Sequence, residues 1–600
     1  MSYGGGLSGS CRVSREAREL YELKQRAAEF YRANGVPQRL EEALNTVYYQ
    51  RPPDVYGSLA NYFSQFAKTP VMCKVLGRKI LDGRGWPALT VEILCTVKNN
   101  EKHISSSVIS THSALAENSP PNVVEAQEKE INTSVEKSLE WIKESLNPLL
   151  TGIVPSEQLK IDRILSEFFA KELYEAKERA RIEIEEREST ESPPIPVLTP
   201  APTPSPGSGK KKGSSKGKKQ AAVEKPIPPA EPSESVLPGS PAICGISLAV
   251  AKAGSIIKRT PLYMHIASLK NEQLLPMTLA MPLPMVTLLS CGKSSPGKLN
   301  LMKEVIVLPR IDLTIRQSLD MCLALHKEIG NLIDSTSKTG PVVKRVSPLG
   351  CVVIACDRLE QPLDLIQEAC KSLGLELGQN LHLAINCAAH ELMDYSKGKY
   401  EVMSGVSKSP DEMVDMYVDL INKHPSVAAL MDPLRKEDSQ QWNYLFSALG
   451  SRCHLIVDAA SQSISQLIEN RGINTPTSSG LVIRHINQTT VTDLLDILQY
   501  VDERKDVAVL GSTDEESCDD SLADLAVGLG ASFIKLGGLF RGERVAKYNR
   551  LLAIEEELAR SGALGQRQER EFHGLPEETP TPATATEEIS EKSDSEEKEK

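Results

Sequence analysis

From about residue 280 onward the sequence alternates short apolar runs with longer amphipathic stretches, and no other feature limits the fold as much. Runs at 305–308, 351–355, 381–385, 454–457 and 507–510 are short and dominated by apolar residues. That is the length and composition of strands buried on both faces. Between them, 413–421 and 493–500 carry apolar residues at helical spacing. Strands alternating with helices predict an α/β domain built on a mainly parallel sheet. Periodicity alone leaves open whether that sheet closes into a barrel.

The first 70 residues read as helices. The stretch 15–33 is charged, with an apolar stripe of Leu20, Leu23, Ala27, Phe30 and Tyr31. Asn34-Gly-Val-Pro37 and Arg51-Pro-Pro53 punctuate two further helical segments, because proline cannot continue a helix interior. Two short apolar helices around an Arg-Pro turn resemble the dimerisation–docking motif of the Dpy-30 and protein-kinase-A regulatory-subunit type. Residues 14–70 are therefore expected either to pair with a second copy or protein partner, or to pack as a plain helical extension. Residues 190–240 are rich in Pro, Ser, Lys and Gly, and 564–600 form an acidic tail; neither composition can bury a core.

A chain of 600 residues has length for about two to four domains. The formal charge of −11 argues against nucleic acid as a partner. No run is expected to reach the roughly eighteen apolar residues of a membrane helix, and the N-terminus lacks the pattern of a secretion signal. The twelve cysteines are scattered without metal-ligand spacing, which fits free buried thiols in a reducing, cytoplasmic compartment.

Several segments carry a resemblance. Ile80-Leu-Asp-Gly-Arg-Gly-Trp-Pro87 followed by Thr90-Val-Glu92, then Ile243-Cys-Gly-Ile-Ser-Leu-Ala-Val250, and above all Phe533-Ile-Lys-Leu-Gly-Gly-Leu-Phe-Arg-Gly-Glu-Arg-Val-Ala-Lys-Tyr-Asn549 are similar to the enolase family, in particular its divergent sperm-type branch. The resemblance implies an α+β capping domain at 71–275, interrupted by an insertion at about 190–240, and a β/α barrel at 276–563. It also implies a homodimer, a phosphorylated three-carbon acid as substrate, Mg²⁺ as cofactor, and a place in glycolysis as the lyase that interconverts 2-phosphoglycerate and phosphoenolpyruvate. Location by resemblance is cytoplasmic or in the sperm flagellum.

Carried over position by position, the resemblance puts the three metal-ligand positions at Asn386, Met431 and Asp458. Only the last is a carboxylate, and a thioether is a poor ligand for a cation that demands hard oxygen donors. Asp432 is not expected to stand in for Met431, since adjacent strand residues face opposite ways. Counting back from Asn487-Gln488 puts the general base at His485, beside Arg484. The general-acid position falls near Leu349, and Gly511-Ser-Thr-Asp514 replaces the phosphate contact. Glu304, Lys535 and Ser110 match substrate-contacting positions, Ser110 on a mobile Ser-Thr loop. Two readings follow: a lyase with a strongly altered site, or a weak or inactive enolase-fold adaptor that self-associates through its N-terminal helices.

Overall fold

The computed structural model describes residues 15–110, 121–190, 236–270, 276–336, 344–458, 477–514 and 516–567. Most of the Pro/Ser/Lys-rich insertion, Thr111 with the rest of its loop, and the acidic tail beyond 567 lie outside the described residues. The chain divides into two compact units, one holding residues up to Pro70 together with Thr96–Asn100, the other holding the rest.

In the first unit, helices Arg15–Ala33, Val36–Gln50 and Val55–Ser64 follow one another. Arg51 stops the second helix in the left-handed region (φ 45), ahead of the two prolines. Asp54 caps the third by accepting from the Gly57 N–H at 2.8 Å, which satisfies an amide that a helix start leaves without a partner. Tyr62 donates to Glu42 across the second and third helices at 2.7 Å. Within these three helices Ala43 alone is fully buried, while Leu20, Leu23, Phe30, Leu44 and Tyr48 are each about half exposed or more.

The second unit opens with most of a three-stranded sheet, Val71–Leu81, Pro87–Val97 and Asn100–Ser110, whose second turn, Thr96–Asn100, is the part counted with the first unit. The Asp82 carboxylate ties its first turn by accepting from the N–H groups of Arg84 and Trp86. Helix Pro241–Lys258 lies on this sheet, held by Ser105 and Ser107, which donate to the carbonyls of Ala249 and Gly245 at 2.7 Å. Gly245 is required there, because a Cβ would come within 2.8 Å of Val91. By length and composition this helix could cross a membrane, contrary to the expectation from the sequence, but 78% of it is buried inside the fold. It is apolar because it is the core helix between sheet and barrel.

Eight strands close the barrel: Leu283–Gly292, Leu301–Pro309, Leu381–Asn386, Val427–Met431, His454–Asp458, Gly480–Ile483, Val507–Gly511 and Phe533–Gly537, the last pairing with the first. The second strand runs antiparallel to both neighbours, and all other pairs are parallel. The strand expected at 351–355 shrinks to Val352–Val353, which pairs with the upper part of the first strand outside the barrel ring. Leu283, Met285, Ile306, Leu308, Ala384, Ala429, Ile456, Val482, Val509 and Phe533 fill the interior as one apolar cluster. Beyond it, Leu564–Gly565 pairs with Leu279–Ala280, and the Arg567 guanidinium donates to the carbonyls of Met281, Ile311 and Leu313. Ordered chain therefore continues past 563.

Candidate active site at the barrel mouth

Side chains alternate along a strand, so the apolar layers fix which residues come next at the carboxyl end. One step above Met285, Ala384, Ala429, Ile456, Val482, Val509 and Phe533 stand Thr287, Asn386, Met431, Asp458, Arg484, Gly511 and Lys535. Because the second strand runs the other way, its Glu304, near the strand's start, joins the same layer in register with Asn386. This is the end of a β/α barrel where functional side chains gather.

Glu304 is the hub. It is 1% exposed and accepts from Lys535 Nζ at 2.6 Å, Asn386 Nδ2 at 2.7 Å and Thr287 Oγ1 at 2.7 Å. Burial alone would raise its pKa, but the ammonium and the two neutral donors outweigh that and hold it below the ordinary carboxylate value. Lys535, itself buried, completes a desolvated ion pair.

On the opposite strands the charge is arranged differently. Asp458 Oδ2 receives Arg484 Nη2 at 2.6 Å, and both side chains are nearly buried. Burial works against the Arg484 charge, yet Asp458, Asp514, Asp432 and Glu304 together raise its pKa above the usual arginine value. Asp514 is likewise held down against burial by Lys303, Arg484, Lys535 and Arg544. Lys303 bridges Glu391 at 2.9 Å and Asp514 at 3.3 Å.

Two sequence expectations change here. Arg484, not His485, is the residue that its strand delivers to the mouth. The alternation continues from Val482, whereas the count from Asn487-Gln488 crosses a turn in which Asn487 is left-handed (φ 53). His485 faces outward, its ring nitrogens 3.4 and 3.5 Å from Cys244 Sγ on the core helix, and burial pushes its pKa down to about 4 despite Asp519. It shares a cavity of about 60 Å³ with Ser110, Thr513, Glu516, Asp519 and Lys547. Ser110 thus belongs with His485, apart from the Glu304–Lys535 network, and its hydroxyl has no partner among the described residues.

Asp432 is the second change. It has φ 44, so the strand's alternation ends at Met431 and the carboxylate swings round to accept from the Asp458 N–H at 2.8 Å. Burial, and then the neighbouring charge of Asp458, push its pKa up to about 7. Leu349 is buried and apolar, and its carbonyl accepts from the Gly538 N–H. Arg544 occupies the loops around Ser512, donating to Ser512 Oγ and to the carbonyls of Thr513, Asp514, Leu536 and Pro348.

The donor set does not fit a hard dication. Met431 offers a buried sulfur, and Asn386 is turned to Glu304 and to the Ala388 N–H. Asp458 is covered by a guanidinium. Among the described residues no cluster of three or more His, Cys, Asp or Glu is disposed to hold a metal ion.

A family model for the enolase C-terminal TIM barrel domain matches residues 278–572. Curated relatives named "Enolase 4" cover nearly the whole chain. The Xenopus laevis protein is 57% identical, with 93% of this chain and 96% of that one aligned. The Homo sapiens protein is 52% identical (97% and 95%), and the Danio rerio protein 45% identical (94% and 97%). With the closed barrel, its antiparallel second strand and the buried lysine–glutamate pair at its mouth, these matches show that the chain belongs to the enolase family.

Proposed function

We propose that the barrel mouth binds the substrate pair of enolase chemistry, 2-phosphoglycerate and phosphoenolpyruvate, and that lyase turnover there, as phosphopyruvate hydratase in glycolysis, is slow. The observation that carries this reading is the Lys535–Glu304 pair with its Asn386 and Thr287 partners. It keeps a desolvated cation and a carboxylate at the two positions that match substrate contacts. Low turnover follows from the other strands. Arg484 cannot take up a proton at neutral pH, Leu349 cannot give one, and a positioned proton donor or acceptor contributes about 10²–10⁴-fold in rate.

The test is direct: incubate purified chain with 2-phosphoglycerate and follow phosphoenolpyruvate formation, with ligand binding measured by thermal shift. Binding accompanied by slow turnover, both lost in Lys535→Met, is the expected result. No binding of either acid by wild type contradicts the reading. The glycolytic placement, in the cytoplasm or along the sperm flagellum, belongs to the same proposal and is tested by imaging the tagged chain in male germ cells.

A second reading, the self-associating adaptor, is favoured by the N-terminal unit. Three helices with one fully buried residue cannot hold together on their own core. A second copy is the occupant that supplies the same missing apolar face, as in a four-helix bundle. The two readings are compatible, since they use different parts of the chain.

A further inference from the structure

We propose that Arg484 is a built-in cation, which takes the charge-balancing place of a divalent ion at the barrel mouth and lets an anionic carboxylate or phosphate oxygen bind there without metal. The proposal rests on the mouth being the ligand site, as inferred above.

Four features of the mouth support it together. Arg484 sits on Asp458 at 2.6 Å, the one carboxylate left among the three metal-ligand positions. A guanidinium is weakly hydrated and always charged, so it tolerates this desolvated seat better than an ammonium would. The other two positions are the uncharged Asn386 and Met431, so one carboxylate remains at these positions for a single positive charge to pair with. Asp514, Asp432 and Glu304 add to the field that keeps the guanidinium charged despite its burial.

A donor is left over. Arg484 Nε is buried and has no hydrogen-bond partner among the described residues. A buried N–H without an acceptor is uncommon in folded proteins, and guanidinium donors are matched to carboxylate and phosphate oxygens. Beside it stands Gly511, where a Cβ would lie 3.7 Å from Nε and 2.7 Å from Val482 Cγ1. The absence of a side chain at 511 keeps that flank of the guanidinium open.

The experiment has two arms on the full-length protein. In the first, Mn²⁺ is titrated and followed by electron paramagnetic resonance, in wild type and in Asp458→Asn. The expected result is no Mn²⁺ whose binding depends on Asp458. Mn²⁺ held by wild type and released by Asp458→Asn overturns the proposal. In the second arm, phosphoenolpyruvate protection against thermal unfolding is measured in EDTA and in Mg²⁺. Wild type is expected to be protected equally in both. Arg484→Met should bind at least about tenfold more weakly, consistent with loss of one charge-assisted contact, while Arg484→Lys retains part of the effect. Protection that appears only with Mg²⁺, or full affinity in a folded Arg484→Met, overturns the proposal. If phosphoenolpyruvate protects no variant in either condition, the substrate reading falls, and the Mn²⁺ arm still decides the claim about Arg484. The comparison of EDTA with Mg²⁺ uses wild type alone, so it stands even if a variant fails to fold.

Discussion

Glu304 takes three hydrogen bonds in a site that water barely reaches, and Lys535 pays back its charge only while that carboxylate is present. Removing one partner strands the other. Lys535→Met is therefore expected to destabilise the chain by about 3–5 kcal/mol, whereas Lys535→Met with Glu304→Gln should recover most of the loss. Thermal unfolding of the two singles and the double variant measures the coupling; additive losses would contradict a shared buried pair. His485 makes a different prediction, one of pH dependence. Its folded pKa, about 4, lies below the ordinary histidine value of about 6.5, so the unfolded state binds more protons between those values. Stability contributed by neutral His485 is full above about pH 6.5 and is lost as pH falls toward 4. A shift of that size corresponds to about 3 kcal/mol, and His485→Gln should flatten the acid limb of the stability–pH curve by up to that amount. An unchanged limb would mean that His485 titrates freely. A structural imidazole against Cys244 predicts in addition that His485→Gln leaves phosphoenolpyruvate binding intact.

At the scale of elements, the strand decides what a motif only suggests. Matches such as Thr90-Val-Glu92 and Ile534-Lys-Leu-Gly537 made the fold legible, because they sit in regular elements whose packing fixes residue type. The resemblance alone pointed to Glu304, Asn386, Asp458 and Lys535, and the structure sets each of them one alternation step from an apolar barrel residue. Arg484 was hidden by counting from a turn instead of from Val482, although Leu481-Val-Ile-Arg484 carried the signal. Asp432 was hidden by a left-handed residue that no alternation rule anticipates. Gly511→Ala tests the strand geometry: its methyl would press on Val482 within 2.7 Å, and overpacking of this kind costs about 1–3 kcal/mol. A Tm equal to wild type would show that the top of the barrel has room to spare. For the N-terminal helices, Leu23→Asp with Leu44→Asp changes residues already more than half exposed. Monomer stability should move by no more than about 0.5 kcal/mol. Sedimentation of the full chain should show weaker self-association; unchanged association would place the contact elsewhere.

For the whole molecule, the eight-stranded closure brings residues from distant parts of the sequence into one layer, where their charges pair with one another. Lys535 answers Glu304, Arg484 answers Asp458, and Lys303 answers Glu391 and Asp514. The scaffold is that of the enolase family, and on the reading proposed above internal ion pairs stand at the mouth where the resemblance implies metal-ligating carboxylates. Restoring the ligands tests that reading. The measurement is kcat/KM for 2-phosphoglycerate across a Mg²⁺ titration, in wild type and in Asn386→Asp/Met431→Glu/Arg484→Lys. Wild type should be slow and indifferent to Mg²⁺, and the triple variant should gain Mg²⁺-dependent turnover of at least about 10²-fold, the value of one restored stabilising group. Wild-type turnover that rises steeply with Mg²⁺ and falls in the triple variant would contradict it.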